Sequence, residues 1–346
     1  RLVFRAVRKL YPNEVQVVAI HDLCPIATNV HLLKFDTAHK IWPEPIVQVG
    51  EDQFKVGEGD TAWVVKNIGG RSSPSQLPWA ELGVDVVLES TGIFRKKAVI
   101  EGDAVKTDGY DGHIRAGAKR VVLSVPSADE IEVTLVLGVN DEDLKPTTIN
   151  ISNASCTTNC LAPVVKVLNE AFGVVNGFMT TVHSYTNDQV VSDVMHADLR
   201  RARAAGQNII PTSTGAAIAL PKVVKGLTPK SLDGISLRVP TLTGSLVDVT
   251  LNLKKVVDIK QVNDALIAAA ERPELKGILV FSTDPLVSSD IIDNPASSIV
   301  DGLSTKVINV DGAPGSLVKV LSWYDNEWMY SCRCADIFHR LGQYLS

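Results

Sequence analysis

Ser152-Asn153-Ala154-Ser155-Cys156-Thr157-Thr158-Asn159-Cys160 is a short polar run between an apolar segment and an amphipathic one. Beyond it Leu161, Val164, Val165, Leu168 and Phe172 recur at i, i+3, i+4, i+7 and i+11, which predicts a helix that begins near Cys156 and buries that face. A thiol on its first turn sits among unpaired main-chain N–H groups at the positive end of the helix, which favours thiolate. A buried structural cysteine is the ordinary alternative. The flanking hydroxyls and amides speak for a nucleophile loop, because an apolar packing site has no use for them.

A nucleophilic thiol needs a proton partner. Thr180-Thr181-Val182-His183-Ser184-Tyr185-Thr186-Asn187-Asp188 closes a predicted strand that starts near Gly177, and His183 is the candidate. Most histidines at strand ends are merely solvated. Paired with Cys156, however, an imidazole can activate the sulfur and later exchange a proton with a substrate oxygen.

A chain of 346 residues, 45% hydrophobic and 21% charged, is long enough for two substantial cores and too apolar for disorder. Its net charge of −5 gives no sign of a nucleic-acid-binding surface, and the densest basic cluster, Arg200, Arg201 and Arg203, is short. Five cysteines without a paired framework fit a reducing compartment. Cys156 and Cys160 are four apart with no second pair of ligands, so no metal is expected. No apolar run reaches membrane-spanning length, and the basic start lacks a signal-peptide core, so a cytoplasmic location is expected.

Residues 1–10 read as a helix with Leu2, Val3, Ala6 and Leu10 on one face and basic residues on another, without an N-cap. Val15 to Ile20 reads as a strand buried on both faces, ending on His21 and Asp22. Asp85 to Gly92 and Val121 to Ser124 read as further parallel strands with polar exits. Ligands of open parallel sheets bind at the carboxyl ends of strands, where Thr91, Gly92 and Ser124 fall. After Cys156 the pattern changes: strands over 235–239, 245–253 and 318–323 with helices near 160–171 and 259–271 predict an α+β domain with a mostly antiparallel sheet. Thr212-Ser213-Thr214-Gly215 reads as an N-cap for a helix at Ala216, and a helix N-terminus also binds anions.

SNASCTTNCLAP, TTVHSYTNDQ, IIPTSTGAA, RVPT and SWYDNEW resemble the phosphorylating glyceraldehyde-3-phosphate dehydrogenases, in that family's order and almost end to end. The resemblance implies an α/β chain: a Rossmann-type dinucleotide-binding domain over 1–155 and 325–346, and a catalytic domain over 156–324. It also implies a strand and a phosphate-cradling glycine loop immediately before Arg1, which this sequence does not include. The expectation is a working enzyme of which these residues are a part; the alternative is a fragment with an impaired cofactor site. Residues 99–112 are longer and more acidic than the family usually shows and are expected to form a surface insertion.

On these positions the resemblance implies that Cys156 forms a hemithioacetal and then a thioester, with His183 as base. Thr186, Arg201 and Arg238 would hold the substrate's phosphate, and Ser155, Thr157, Thr214 and Gly215 the attacking inorganic phosphate. Asp22 would receive the adenosine ribose and Arg71 line the adenine side. Thr91, Gly92 and Ser124 would face the cofactor, Asn326 fix the nicotinamide carboxamide and Tyr330 flank it. Leu23 after Asp22 resembles NAD-specific members, whereas Val194 and Met195 match neither the NAD-type nor the NADP-accepting pair; NAD is expected, with some NADP use left open. A homotetramer is implied, residues 184–208 reaching a neighbour. Competing readings are erythrose-4-phosphate or aspartate-semialdehyde dehydrogenase, a Cys/His hydrolase, and a catalytically silent binding protein.

Overall fold

The computed structural model describes residues 1–102, 104–310 and 313–345, which form two compact units. The first comprises Arg1–Thr134, Asp143–Ala154 and Ser331–Ser346; the second comprises Leu135–Glu142 and Ser155–Tyr330.

In the first unit, helix α1 (Leu2–Leu10) precedes strand β1 (Ala19–Asp22) and helix α2 (Ile26–Lys34). The buried side of α1 is Phe4, Arg5, Ala6, Val7 and Arg8, so the expected division into an apolar and a basic face does not hold, and Leu10 is exposed. Both arginines tolerate burial because their stems pack while their guanidinium groups find acceptors. Arg5 donates from Nε and Nη2 to the Leu33 carbonyl (3.1 and 2.7 Å), and Arg8 donates from Nε to the Glu44 carboxylate (3.0 Å).

Strands β2 (Ile46–Val49), β3 (Gln53–Val56) and β4 (Trp63–Gly69) form an antiparallel meander, and β1 adds to β4 in parallel, in the order β1-β4-β3-β2. A second sheet is parallel throughout. It contains β5 (Val86–Glu89), and an exposed hairpin, β6 (Val99–Glu101) and β7 (Ala104–Thr107), follows β5 in the chain. Strands β8 (Arg120–Leu123), β9 (Val133–Thr134) and β10 (Asn150–Ser152) complete it in the order β9-β10-β8-β5. The hairpin is where the surface insertion is expected; position 103 within it lies outside the described residues. Val121, Val122 and Leu123 are fully buried, as a central parallel strand requires. The run from Val15 to Ile20 is different. Only its last two residues are strand, and none of the six is fully buried, because β1 is a sheet edge whose open side faces a cavity of about 600 Å³.

The second unit is built on an eight-stranded sheet over which helix α4 (Cys156–Phe172) packs. Here α3 is the short helix Gly112–Arg115 of the first unit. The helix α4 begins at Cys156 because Ser155 is extended and its Oγ accepts the Thr158 N–H (3.1 Å), and Leu161, Val164, Val165 and Leu168 are buried along it. Strand β11 (Val174–Ser184) follows, then β12 (Ile210–Ser213), helix α5 (Ala216–Val223), β13 (Leu232–Val239) and β14 (Ser245–Val257). Helix α6 (Ile259–Ala270) leads to β15 (Leu279–Ser282), β16 (Ser298–Asp301), β17 (Lys306–Val310) and β18 (Ala313–Tyr324). The order is β12-β13-β11-β14-β18-β16-β15, with β17 on β18; only β11–β13 and β15–β16 run parallel. Helix α7 (Trp328–Gly342) starts where the Asp325 carboxylate accepts the Glu327 and Trp328 N–H groups (both 3.0 Å).

Gly177 lets β11 lie close to β14, since a Cβ there would stand 2.4 Å from the Thr250 carbonyl oxygen. Gly177→Ala is therefore predicted to destabilise the chain by about 1–3 kcal/mol through overpacking. Urea unfolding checks this, and an unchanged midpoint would show that the strands part without cost.

Candidate active site

Parallel pairing of β11 with β13 sets His183 opposite Arg238. His183 is buried, and its Nδ1 lies 2.6 Å from the Ser184 carbonyl oxygen, which only accepts. Nδ1 therefore carries the ring proton, and the Nε2 lone pair faces Cys156 Sγ at 3.5 Å. Arg238 Nη1 is 2.8 Å from the same Nδ1 and 3.1 Å from the same oxygen; with Nδ1 protonated, it donates to the oxygen and sets a positive charge beside the ring. Ser184 is itself pinned: its N–H donates to Ser245 Oγ (3.1 Å) and its hydroxyl to the Gly244 carbonyl (3.0 Å).

Burial pushes the Cys156 thiol up, against the lowering effects of the Arg238 charge and of the Thr157 hydroxyl and N–H. The helix end therefore acts as expected but does not by itself outweigh desolvation. Burial, then Arg238, lowers His183 to about 4. Each shift penalises one charge alone. Passing the thiol proton to Nε2 makes two opposite charges side by side, and there the attraction offsets part of the desolvation. Cys160, fully buried, is pushed up to about 12 by desolvation, so the two helix cysteines are chemically distinct. Ala154 holds φ at +51°, a left-handed backbone that favours glycine, just before the loop turns into α4.

Residues not singled out in the sequence complete this half. Tyr324 is fully buried, its hydroxyl bonded to Thr157 Oγ1 (2.9 Å) and Thr181 Oγ1 (2.8 Å), its ring edge-on to His183 at 6.0 Å. It orients both the helix start and the imidazole. Its signal was its place in the SWYDNEW run. Asp188 is the other: Thr186 Oγ1 donates to its Oδ1 and Arg201 Nη1 to its Oδ2. Burial raises the Asp188 carboxyl, and the Thr186 bond with the Arg201 and Arg238 charges overcomes this and lowers it. Thr186, Arg201 and Arg238 thus act on one acidic oxygen pair. Of the other basic residues, Arg203 pairs with Asp193 (2.8 Å), and Arg200 makes no side-chain bond among the described residues. Arg238 Nε is buried without a partner, a donor suited to a further anion.

Around the anion site expected for inorganic phosphate, the Ser155 and Thr157 hydroxyls are committed to the α4 cap and to Tyr324. Thr214 Oγ1 accepts the Ala216 N–H (3.3 Å), Gly215 is the N-cap of α5, and α5 packs on α4. Main-chain N–H groups at these helix starts are what remains for an anion.

Asn326 Oδ1 accepts from Ser245 Oγ (2.8 Å) and the Gly244 N–H (3.2 Å). This fixes the amide so that Nδ2 is the outward donor, with no partner among the described residues, which fits a carboxamide oxygen. Tyr330 lies in the first turn of α7, half-buried. In the first unit Asp22 ends β1, in register with Gly69, so Arg71 follows close by; both are exposed. Thr91 and Ser124 meet at Glu89: its Oε1 accepts the Thr91 N–H (2.8 Å) and hydroxyl, and its carbonyl the Ser124 N–H (3.0 Å). Gly92 turns the chain away at φ +74°. Glu89 was not expected from sequence. It is buried against His113 Nε2 (2.9 Å), whose Nδ1 accepts from Trp79 Nε1 (3.0 Å).

Two family models match: "Glyceraldehyde 3-phosphate dehydrogenase, NAD binding domain" over residues 1–97 and "Glyceraldehyde 3-phosphate dehydrogenase, C-terminal domain" over 155–326. The chain is 48% identical over 333 residues to a glyceraldehyde-3-phosphate dehydrogenase of Mycolicibacterium smegmatis, covering 96% of this chain and 91% of the relative. It is 50% identical to that of Borreliella burgdorferi, covering 96% and 94%. It is 49% identical to the chromosomal enzyme of Cupriavidus necator, covering 94% and 89%.

Two outcomes follow from these contacts. Burial raises the Glu89 carboxyl, but bonds from His113 and Thr91 outweigh it and the net shift is down. Such a group contributes stability above the ordinary carboxylate value, about 4.3, that is lost as pH falls through its lower folded value. Glu89→Gln is expected to be less stable than the parent at pH 7 in urea unfolding, with the gap narrowing below about pH 4; a constant gap would assign the loss to packing. Asp188→Asn frees the Arg201 and Arg238 charges, so glycerol phosphate should bind about three- to tenfold more tightly by calorimetry. Weaker binding would make Asp188 a scaffold for Arg201.

Proposed function

The chain belongs to the glyceraldehyde-3-phosphate dehydrogenase family, and on that premise we propose that it oxidises glyceraldehyde 3-phosphate with NAD and inorganic phosphate to 1,3-bisphosphoglycerate, a glycolytic step. The observation that carries this is the Cys156–His183 pair, with one nitrogen tethered and the other open to sulfur. Cys156 attacks the aldehyde carbon while its proton passes to Nε2 and on to the new hydroxyl, giving a hemithioacetal. His183 then takes that hydroxyl proton as the C–H bond breaks, and a thioester remains on Cys156. Hydride acceptance would be the chemistry that NAD supplies when held by the cofactor-binding residues named below. Developing negative charge on oxygen is met by the Cys156 N–H and the imidazolium. Attack by inorganic phosphate breaks the C–S bond, and the sulfur leaves as thiolate.

In this reading Thr186, Arg201 and Arg238 hold the sugar phosphate, which replaces Asp188 as acceptor, and the unpartnered Arg238 Nε supports it. Ser155, Thr157, Thr214 and Gly215 hold the attacking phosphate through the starts of α4 and α5. Asp22, Arg71, Thr91, Gly92 and Ser124 hold the cofactor in a domain of residues 1–155 and 325–346, with Asn326 Nδ2 on its carboxamide and Tyr330 beside it. Residues 156–324 are the catalytic domain. A homotetramer in the cytoplasm completes the reading; among the described residues no helix is long and apolar enough to cross a membrane.

Mixing protein, NAD and glyceraldehyde 3-phosphate in phosphate-free buffer should release about one NADH per chain in a rapid burst, followed by a slow phase that added phosphate accelerates. Cys156→Ser should abolish the burst. Full steady turnover without phosphate would reject the phosphorolytic step.

A further inference from the structure

Glu89 closes β5 and is buried, with its carboxylate shared between two neighbours. Its Oε2 lies 2.9 Å from His113 Nε2, and His113 Nδ1 lies 3.0 Å from Trp79 Nε1. An indole N–H only donates, so Nδ1 is held as an acceptor and the single ring proton sits on Nε2, facing Glu89. The contact between Glu89 and His113 is therefore a hydrogen bond from a neutral imidazole rather than an ion pair. Burial raises the Glu89 carboxyl, but the bonds from His113 and Thr91 bring it below the ordinary carboxylate value, so it is ionised at pH 7. Among the described residues no lysine or arginine pairs with it. A buried anion without a countercharge costs free energy that packing does not require, and such groups concentrate at functional sites.

The same residue decides what its neighbours offer outward. Glu89 Oε1 takes both donors of Thr91, the N–H (2.8 Å) and the hydroxyl, and the Glu89 carbonyl takes those of Ser124, the N–H (3.0 Å) and the hydroxyl (3.3 Å). Thr91 Oγ1 in turn accepts the Ile93 N–H (3.1 Å). Thr91 and Ser124 stand at the carboxyl ends of parallel strands, the first exposed and the second half-buried, and their hydroxyls are left with lone pairs rather than protons for a ligand. With an anion beneath, such a rim suits neither phosphate of a dinucleotide; it suits a cation. In NAD the positive charge is on the oxidised nicotinamide ring, and it is lost when the ring takes up hydride. We propose that Glu89 is a specificity-determining residue: its carboxylate, left without a countercharge by the Trp79–His113 pair, makes the rim at Thr91 and Ser124 favour the oxidised cofactor over the reduced one. The inference rests on the proposed cofactor site at Thr91, Gly92 and Ser124 and adds a redox-state preference to it.

Titration calorimetry of the full chain with NAD and, separately, with NADH tests this on the parent and on Glu89→Gln. The neutral variant is expected to lose about tenfold in NAD affinity and less than about twofold in NADH affinity, so the preference for the oxidised form falls. A scaffold role would weaken both forms alike. An amide at this position sets its own N–H donors against the His113 Nε2–H, which endangers folding of the single variant. The double variant Glu89→Gln with Trp79→Phe removes that conflict, because Nδ1 can then carry the ring proton and Nε2 accept; it is expected to show the same loss of preference. Binding of both forms with an unmoved ratio, or a ratio moved by NADH alone, overturns the inference and leaves the cofactor site standing. A parent protein that binds neither form overturns the cofactor site and the inference with it.

Discussion

The tether between His183 Nδ1 and the Ser184 carbonyl is the contact on which the site depends. If that bond were lost the ring would rotate, and the nitrogen facing Cys156 would no longer be defined as a base. Its support is layered. Ser245 and Gly244 hold Ser184, Arg238 shares the carbonyl, and Tyr324 closes the ring's edge while reaching Thr157 in the first turn of α4. The same Ser245 hydroxyl and Gly244 N–H orient Asn326, so the proton-transfer group and the amide are set by one strand start.

Charge is managed by occupancy. Asp188 sits where Thr186 and Arg201 converge, and it lowers the cost of holding two arginines near a buried imidazole. In the proposed function a phosphate entering there would trade one anion for another, so Arg201 would keep an acidic partner throughout. Burial of Cys156 follows the same logic: a resting thiol is kept protonated until the adjacent base can take its proton.

The helix after Cys156, the strand ending at His183 and the parallel strand at Val121–Leu123 were all legible, because apolar periodicity and short apolar runs with polar exits carry those signals locally. What sequence did not show is set by long-range partners. Arg5 and Arg8 look like a solvated face until the Leu33 carbonyl and Glu44 arrive. Val15–Ile20 has the composition of a doubly covered strand, yet its cover depends on which neighbours the topology supplies. Tyr324, Asp188 and the Glu89–His113 pair stand within or near quoted motifs, but their roles are contacts across 140 residues or more in the first case and across 13 and 24 in the others, which no spacing rule encodes.

The central claim is that a single sulfur, Cys156, carries the substrate covalently while His183 handles the proton. Intact-protein and peptide mass spectrometry of acid-quenched enzyme, taken with glyceraldehyde 3-phosphate and NAD in phosphate-free buffer, measures this directly. The account predicts a phosphoglyceroyl adduct on the peptide holding Cys156 and none on Cys160. Turnover with no adduct at Cys156, or with the acyl group on another residue, would contradict it.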